Sequence, residues 1–400
     1  MRAAVLIGAL ACALGAQAQT SSSGIVLAET STIFAFGDSY SWNGYSPFLG
    51  VNNFPGYGAT SSGGYNWLQF LTTLGSRPIN LYDLAASGAT TNNSVVSSAA
   101  VDLVNQVGLW NDWFAPGTGE AITTAQAAWE TNSTLFTVWI GINDVGNGYL
   151  QGQDFTASLP AVFESYTRAI ASLYTGGARN FLILGVPPTW RTPLVQSYGP
   201  QAVATYGNYV SQYNTELARL VGEFRTAYPD ARFALFDTVP FFNQILDNPA
   251  NYGIADATTA CTAYATLYNQ PAIALPACTW PMSAYFWWNN YHPTWTVHKL
   301  LASVLAQTLV PAASSSALPS TSTSTLASTS SSSLPIPTTP LTNTVPVASA
   351  SGSTVAPSAT GGVDGGSSSA ASRSYGRARQ WAATAAAVVV GGSLGGALLL

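Results

Sequence analysis

The chain carries little charge. Only 7% of its 400 residues are Asp, Glu, Lys or Arg, against about 25% in ordinary globular domains. Twelve cations against 17 acids give a formal charge of −5. So few cations on an acidic chain argue against nucleic acid or an anionic lipid surface as a partner. Histidine and cysteine are scarce, with two and three residues, and their spacings make no zinc pattern. Long interior apolar runs are missing too. Nothing between the two ends approaches the roughly 20 residues that a spanning helix needs. Disorder does not explain the charge deficit, because 12% of residues are aromatic, including 12 Trp and 19 Tyr. Polar capacity rests instead on Ser, Thr, Asn and Gln, as in many secreted proteins.

The ends differ from the middle. Residues 1–18 have the layout of a signal peptide: Arg2, an apolar stretch from Ala3 to Leu14, then Ala16-Gln17-Ala18 as a small-x-small cleavage site. Its removal takes Cys12 and leaves Cys261 and Cys278, which in an oxidising compartment are expected to form one disulfide. Residues 312–372 are rich in Ser, Thr, Pro, Ala and Gly. They bury too little apolar surface to offset ordering entropy and suggest an O-glycosylated stalk. Small residues, a spacer with Arg373, Arg377 and Arg379, and an apolar tail then follow. This is the order of a GPI-attachment signal over 373–400, with Ser369 as one attachment candidate. A transmembrane anchor is the alternative, although it would set three Arg against the positive-inside tendency. Without these ends the body keeps eight cations and sixteen acids, a charge near −8.

The body, residues 25–310, has the length of one domain. Short apolar runs at 32–36, 80–84, 135–140, 181–186 and 232–236 read as strands. Helical spacing occupies 65–74, 101–114, 160–174, 202–228 and 294–309. This alternation predicts an α/β fold whose mostly parallel sheet is covered on both faces. Ligands of such sheets sit at the carboxyl ends of the strands.

Polar residues gather at those ends. The first strand runs into Gly37-Asp38-Ser39, where a tight turn can hold a hydroxyl above the sheet. The second leads to Ser87-Gly88-Ala89, where a glycine lets backbone approach a ligand. The third ends in Gly141-Ile142-Asn143-Asp144, whose amide can donate to an oxyanion or cap a helix. His292-Pro293-Thr294 precedes the last helix, with Pro293 as its expected first-turn residue. His292 is the one well-placed general base, since His298 falls inside the helix as a packing or surface residue.

These four blocks, in this order, resemble the SGNH/GDSL hydrolase superfamily, which takes its name from a Ser, a Gly, an Asn and a His. The likeness spans about 32–305 and is strongest to fungal acetylesterases and lipases of the carbohydrate-esterase type. It implies a three-layer sandwich around a mostly parallel five-stranded sheet. It also implies a serine acyl-enzyme mechanism. Ser39 attacks an ester, His292 moves the proton, and Ser39, Gly88 and Asn143 hold the oxyanion. One position departs from the family pattern: Asn289 stands where an Asp precedes the His. Asn289 can orient His292, a distant carboxylate such as Asp256 can do so, or activity is weak.

The aromatic residues Trp280, Tyr285, Phe286, Trp287, Trp288, Tyr291 and Trp295 crowd this region, as core packing or as a platform for sugar or acyl chain. Asn92 and Asn132 begin N-glycosylation sequons. No cofactor or metal is implied. A monomeric, secreted ester hydrolase is expected, with a small-molecule or carbohydrate ester as substrate and the membrane reached only through a GPI anchor. Acetyl esters of carbohydrate are the first expectation, longer acyl chains the second, and a non-catalytic glycan- or wall-binding protein the third.

Overall fold

A computed structural model describes residues 24–56, 59–117, 127–267 and 273–310. The expected signal peptide, stalk and attachment signal lie outside these residues. Five strands form where the apolar runs predict them: β1 Thr32–Gly37, β2 Asn80–Asp83, β3 Thr134–Trp139, β4 Asn180–Leu184 and β5 Arg232–Phe236. Every residue of β1, β3 and β4 is buried. With both faces covered, no polar side chain alternates along them, which is why they read as unbroken apolar runs. All four pairings are parallel, in the order β2-β1-β3-β4-β5.

Parallel neighbours need long crossovers. These carry α1 Trp67–Thr73, α2 Leu103–Trp113, α3 Ile142–Leu150, α4 Phe155–Thr175, α5 Pro193–Ser197 and α6 Pro200–Ala227. Beyond β5 come α7 Thr238–Asp247 and α8 Trp295–Thr308. On one face of the sheet, Tyr82, Phe34, Phe136, Phe181 and Phe233 stand in register on five successive strands. Their ring centroids are 5.2, 5.3, 5.8 and 4.7 Å apart. Trp110 of α2 and Phe224 of α6 cover this row. On the other face, Trp139 meets Trp67 of α1 and Phe242 of α7.

Local signals explain several boundaries. Asn66 caps α1 by accepting from the Leu68 and Gln69 N–H groups, and Gln69 reaches back to the Asn66 N–H. This reciprocal pair satisfies donors that have no partner inside the helix. Helix α4 begins at Phe155, earlier than the expected Pro160. Asp154 caps it through the Ala157 N–H, and Phe155 stacks on Tyr209 of α6 at 4.5 Å. These contacts outweigh the backbone hydrogen bond that Pro160 cannot make. Cys261 and Cys278 form the expected disulfide across a separation of 17 residues. It packs beside Tyr264, Met282, Tyr285 and Trp288, on the segment that leads to His292.

Candidate active site

The strand order reverses at β1, so the crevice between the ends of β1 and β3 is the expected ligand position. Ser39 follows β1 in a turn closed by the Ser41 and Trp42 N–H groups, both donating to the Asp38 carbonyl. The Asp38 carboxyl is buried and accepts from the Tyr40 N–H at 2.9 Å. Burial pushes its pKa up to about 8, against the opposing pull of that hydrogen bond.

His292 reaches Ser39 across the fold. Its Nε2 lies 2.7 Å from Ser39 Oγ, and its Nδ1 lies 3.1 Å from Asn289 Oδ1. The same Oδ1 accepts from the Tyr291 N–H at 2.9 Å and the His292 N–H at 2.7 Å. A flipped amide would oppose two backbone donors with a third, so the oxygen must face the ring. Nδ1 therefore carries the proton, and the lone pair of Nε2 faces the Ser39 hydroxyl. Asn289 fixes the tautomer a general base needs, but supplies no negative charge. Burial of the ring pushes the His292 pKa down to about 4.

The loop that presents His292 is pinned on several sides. Tyr40 donates its hydroxyl to the Tyr291 carbonyl at 2.6 Å, and the Leu194 N–H donates to the Asn290 carbonyl. Pro293 pairs with Trp287 in an isolated bridge. It is therefore not the first helical residue: Thr294, with extended backbone, is the cap, and α8 starts at Trp295. The Thr294 hydroxyl is committed to the Tyr285 carbonyl, so the bridge and this bond set the helix start. His298 is buried, and its Nδ1 accepts the Trp67 N–H at the start of α1.

Gly88 and Asn143 stand on the neighbouring loops. Gly88 has φ 80°, a left-handed conformation that costs other residues strain. Gly141, with φ 118°, is the N-terminal cap before α3, and a Cβ there would overlap the Tyr213 ring. Asn143 in the first turn of α3 gives one amide proton to the Ala89 carbonyl at 2.9 Å and keeps a second. Among the described residues, neither the Ser39 N–H nor the Gly88 N–H donates to a protein acceptor. The loops that carry Gly88 and Asn143 follow β2 and β3, the two strands that pair with β1, an arrangement able to present these donors to a tetrahedral oxyanion at Ser39.

Asp256 does not take the place of the missing acid. Its carboxylate accepts from the N–H and hydroxyl groups of Thr258 and Thr259, so its lone pairs are spent on its own turn. Of the aromatic cluster, Tyr285, Phe286, Trp287, Trp288 and Tyr291 are buried, which makes them packing residues. Trp280 is exposed and Trp295 half-buried. Two contributors escaped the sequence reasoning. The Tyr40 ring lies tilted against the His292 ring, their centroids 5.4 Å apart. Asp144, buried, accepts the Thr91 N–H with both oxygens at 3.1 and 3.0 Å. Its position beside Asn143 was the one signal for it, and an acid in a first helical turn reads equally as a cap. Burial pushes its pKa up to about 7, against the Thr91 hydrogen bonds.

Residues 33–305 match the sequence profile described as GDSL-like Lipase/Acylhydrolase. The chain belongs to this GDSL family. An acetylesterase of Thermothelomyces thermophilus is 33% identical over 291 residues, which cover 69% of this chain and 87% of that protein. A GDSL esterase/lipase of Arabidopsis thaliana is 24% identical over 329 residues, covering 72% and 92%. Among solved structures, an acetylxylan esterase of Geobacillus stearothermophilus aligns with a TM-score of 0.36 at 16% identity, over 70% of this chain and 96% of that one. This GDSL protein is an ester-bond hydrolase, and the hydroxyl, imidazole and amide just described lie within the matched span.

Proposed function

We propose that Ser39 is the nucleophile of a short-acyl esterase, acting first on acetyl groups. The observation that carries this is the 2.7 Å contact between Ser39 Oγ and the unprotonated nitrogen of His292. Attack on the ester carbonyl passes the hydroxyl proton to Nε2. The Ser39 and Gly88 N–H groups and the second proton of Asn143 receive the oxyanion. His292 returns the proton to the leaving alcohol, and water repeats the sequence to release the acid. The acyl preference is supported by the acetylesterase relative. It is supported also by the cover over Ser39, 5% exposed, which a small acyl group crosses with less displacement than a long one.

Acetylated carbohydrate is the proposed substrate, its sugar hydroxyl being the leaving alcohol, and the cell surface its place. The leader at 1–18, the stalk and the 373–400 signal support secretion and GPI anchoring. Asn132 is exposed on a turn before β3 and suits a glycan. The Asn92 amide donates to Ser165 at 2.9 Å, so a glycan there would break a contact.

A chain-length series of p-nitrophenyl esters, with wild type and Ser39→Ala, tests the function. Turnover that depends on Ser39 and is highest for acetate is expected. Rising turnover toward long chains would assign a lipolytic enzyme instead. No Ser39-dependent turnover on any ester would leave the non-catalytic glycan-binding reading. Release from cells by phosphatidylinositol-specific phospholipase C tests the anchor, and retention in the membrane fraction would favour a spanning helix.

A further inference from the structure

We infer that Asp144 is a positioning residue for ester hydrolysis, holding the loop after β2 against α3 so that Gly88 and Asn143 keep a fixed separation. The inference rests on Gly88 and Asn143 being the oxyanion donors. These two sit on different crossovers, and nothing in the covalent chain fixes one against the other. Two adjacent residues of α3 close that gap. Asn143 donates to the Ala89 carbonyl, and Asp144 receives the Thr91 N–H on both carboxyl oxygens. The loop is thus gripped through its carbonyl at Ala89 and its N–H at Thr91, on one side of Gly88.

Further contacts make this grip rigid. The Gly88 carbonyl accepts from Ser98 Oγ at 2.7 Å, and the Leu103 N–H donates to the Thr90 carbonyl. Tyr213 fills the space beside Gly141 and lies 3.5 Å from the Thr91 hydroxyl. Asp144 is fully buried, with no cation bonded to it among the described residues. A buried carboxyl without a cation costs stability. Its place beside the donor amide therefore fits a role in geometry better than one in folding energy. Oxyanion donors act only when they meet the developing charge at about 3 Å, so a small shift of the loop is felt in the transition state and little in substrate binding.

The test is a double-mutant cycle on p-nitrophenyl acetate with Asn143→Ala, Asp144→Ala and the pair, recording kcat, KM and thermal midpoint. Inhibition by phenylboronic acid, whose serine adduct places an oxygen toward the same donors, gives an independent readout. Asp144→Ala, which removes the acceptor of the Thr91 N–H, is expected to lower kcat about 10- to 100-fold with KM changed less than about threefold, and to weaken boronic acid inhibition in parallel. In the double variant the two losses should not multiply. If Asp144→Ala does not fold, Asp144→Asn, which keeps one acceptor oxygen and loses the other, replaces it in the same cycle with a smaller expected loss. Unchanged kcat on substitution of Asp144, or losses that multiply in full with Asn143→Ala, overturn the inference. Unchanged kcat in Asn143→Ala alone would instead overturn the oxyanion assignment beneath it.

Discussion

Replacing Asn289 with Asp tests the charge balance of the site. In the native arrangement Asn289 Oδ1 accepts from three N–H groups, including His292 Nδ1 at 3.1 Å. An Asp in the same pose keeps all three contacts and adds a negative charge beside the ring. Opposite charges about 4 Å apart attract by about 4 kcal/mol at an effective dielectric of 20. Asn289 is half-buried, and solvent screening brings this to about 2 kcal/mol. Two consequences follow. The imidazolium formed as Ser39 attacks is stabilised, so kcat near pH 8 should rise about 30-fold. The ground-state imidazolium is stabilised too, so the acid limb of the pH profile should move up by about 1.5 units. The native enzyme, with His292 near pKa 4, should hold its activity far into the acid range, because it works with a neutral ring. The assay is kcat/KM for p-nitrophenyl acetate from pH 4 to 9, by pH-stat. In serine proteases the reverse change costs about 10⁴ in kcat, partly through the wrong tautomer. Here the amide already sets the tautomer, so the gain is expected to be smaller. A variant with unchanged kcat and an unmoved acid limb would refute the placement of Asn289 behind His292.

Other outcomes follow from the same geometry. Burial raises the pKa values of Asp38, Asp83 and Asp144, so the folded chain keeps protons that the unfolded chain gives up. Between pH 7.5 and 8.5 both histidines are close to fully neutral in either state, and stability should fall as pH rises through the folded Asp38 value of about 8; a thermal midpoint that climbs over this window in scanning calorimetry contradicts the assignment. Gly141→Ala combines a forbidden φ with overlap on Tyr213 and should cost about 2–3 kcal/mol in urea unfolding. Replacing Cys261 and Cys278 by Ser should lower unfolding free energy by about 3 kcal/mol on the chain-entropy account, read as a lower urea midpoint. In protein secreted from a eukaryotic host, Asn132→Gln should abolish the mass shift on peptide-N-glycosidase F treatment, and Asn92→Gln should leave it.

The strands were readable because doubly covered parallel strands leave runs that only burial explains. The β1 segment Thr32–Gly37 and the β5 segment Arg232–Phe236 fall where composition alone predicts them. Helix α3 was not, because Ile142–Leu150 holds two Gly and two Asn, which disfavour a helix interior; tertiary packing on α6 and Tyr213 forms it. Helix α7 follows β5 after Asp237 with no loop to separate them, and Pro240 interrupts its pattern. At the site, Ser39, Gly88, Asn143 and His292 were readable through their order along the chain. The support behind them was not. The pairing of Trp67 with His298 and of Tyr40 with Tyr291 joins residues far apart in sequence, and no local pattern announces such contacts. The commitment of Asp256 to Thr258 and Thr259 was local, but a carboxylate before two Thr is too common to decide its role beforehand.

The row of rings across the sheet bears on where the catalytic groups stand. Tyr82, Phe34 and Phe136 lie side by side, and Gly88, Ser39 and Asn143 each follow one of these rings by a short, stiff stretch of chain. A slip of one residue between neighbouring strands would turn a ring to the opposite face. The row therefore works as an alignment pin: three separate loops share one height reference, set deep in the sheet and remote from any substrate. A loop can vary in sequence, and the depth from which its functional residue starts stays the same.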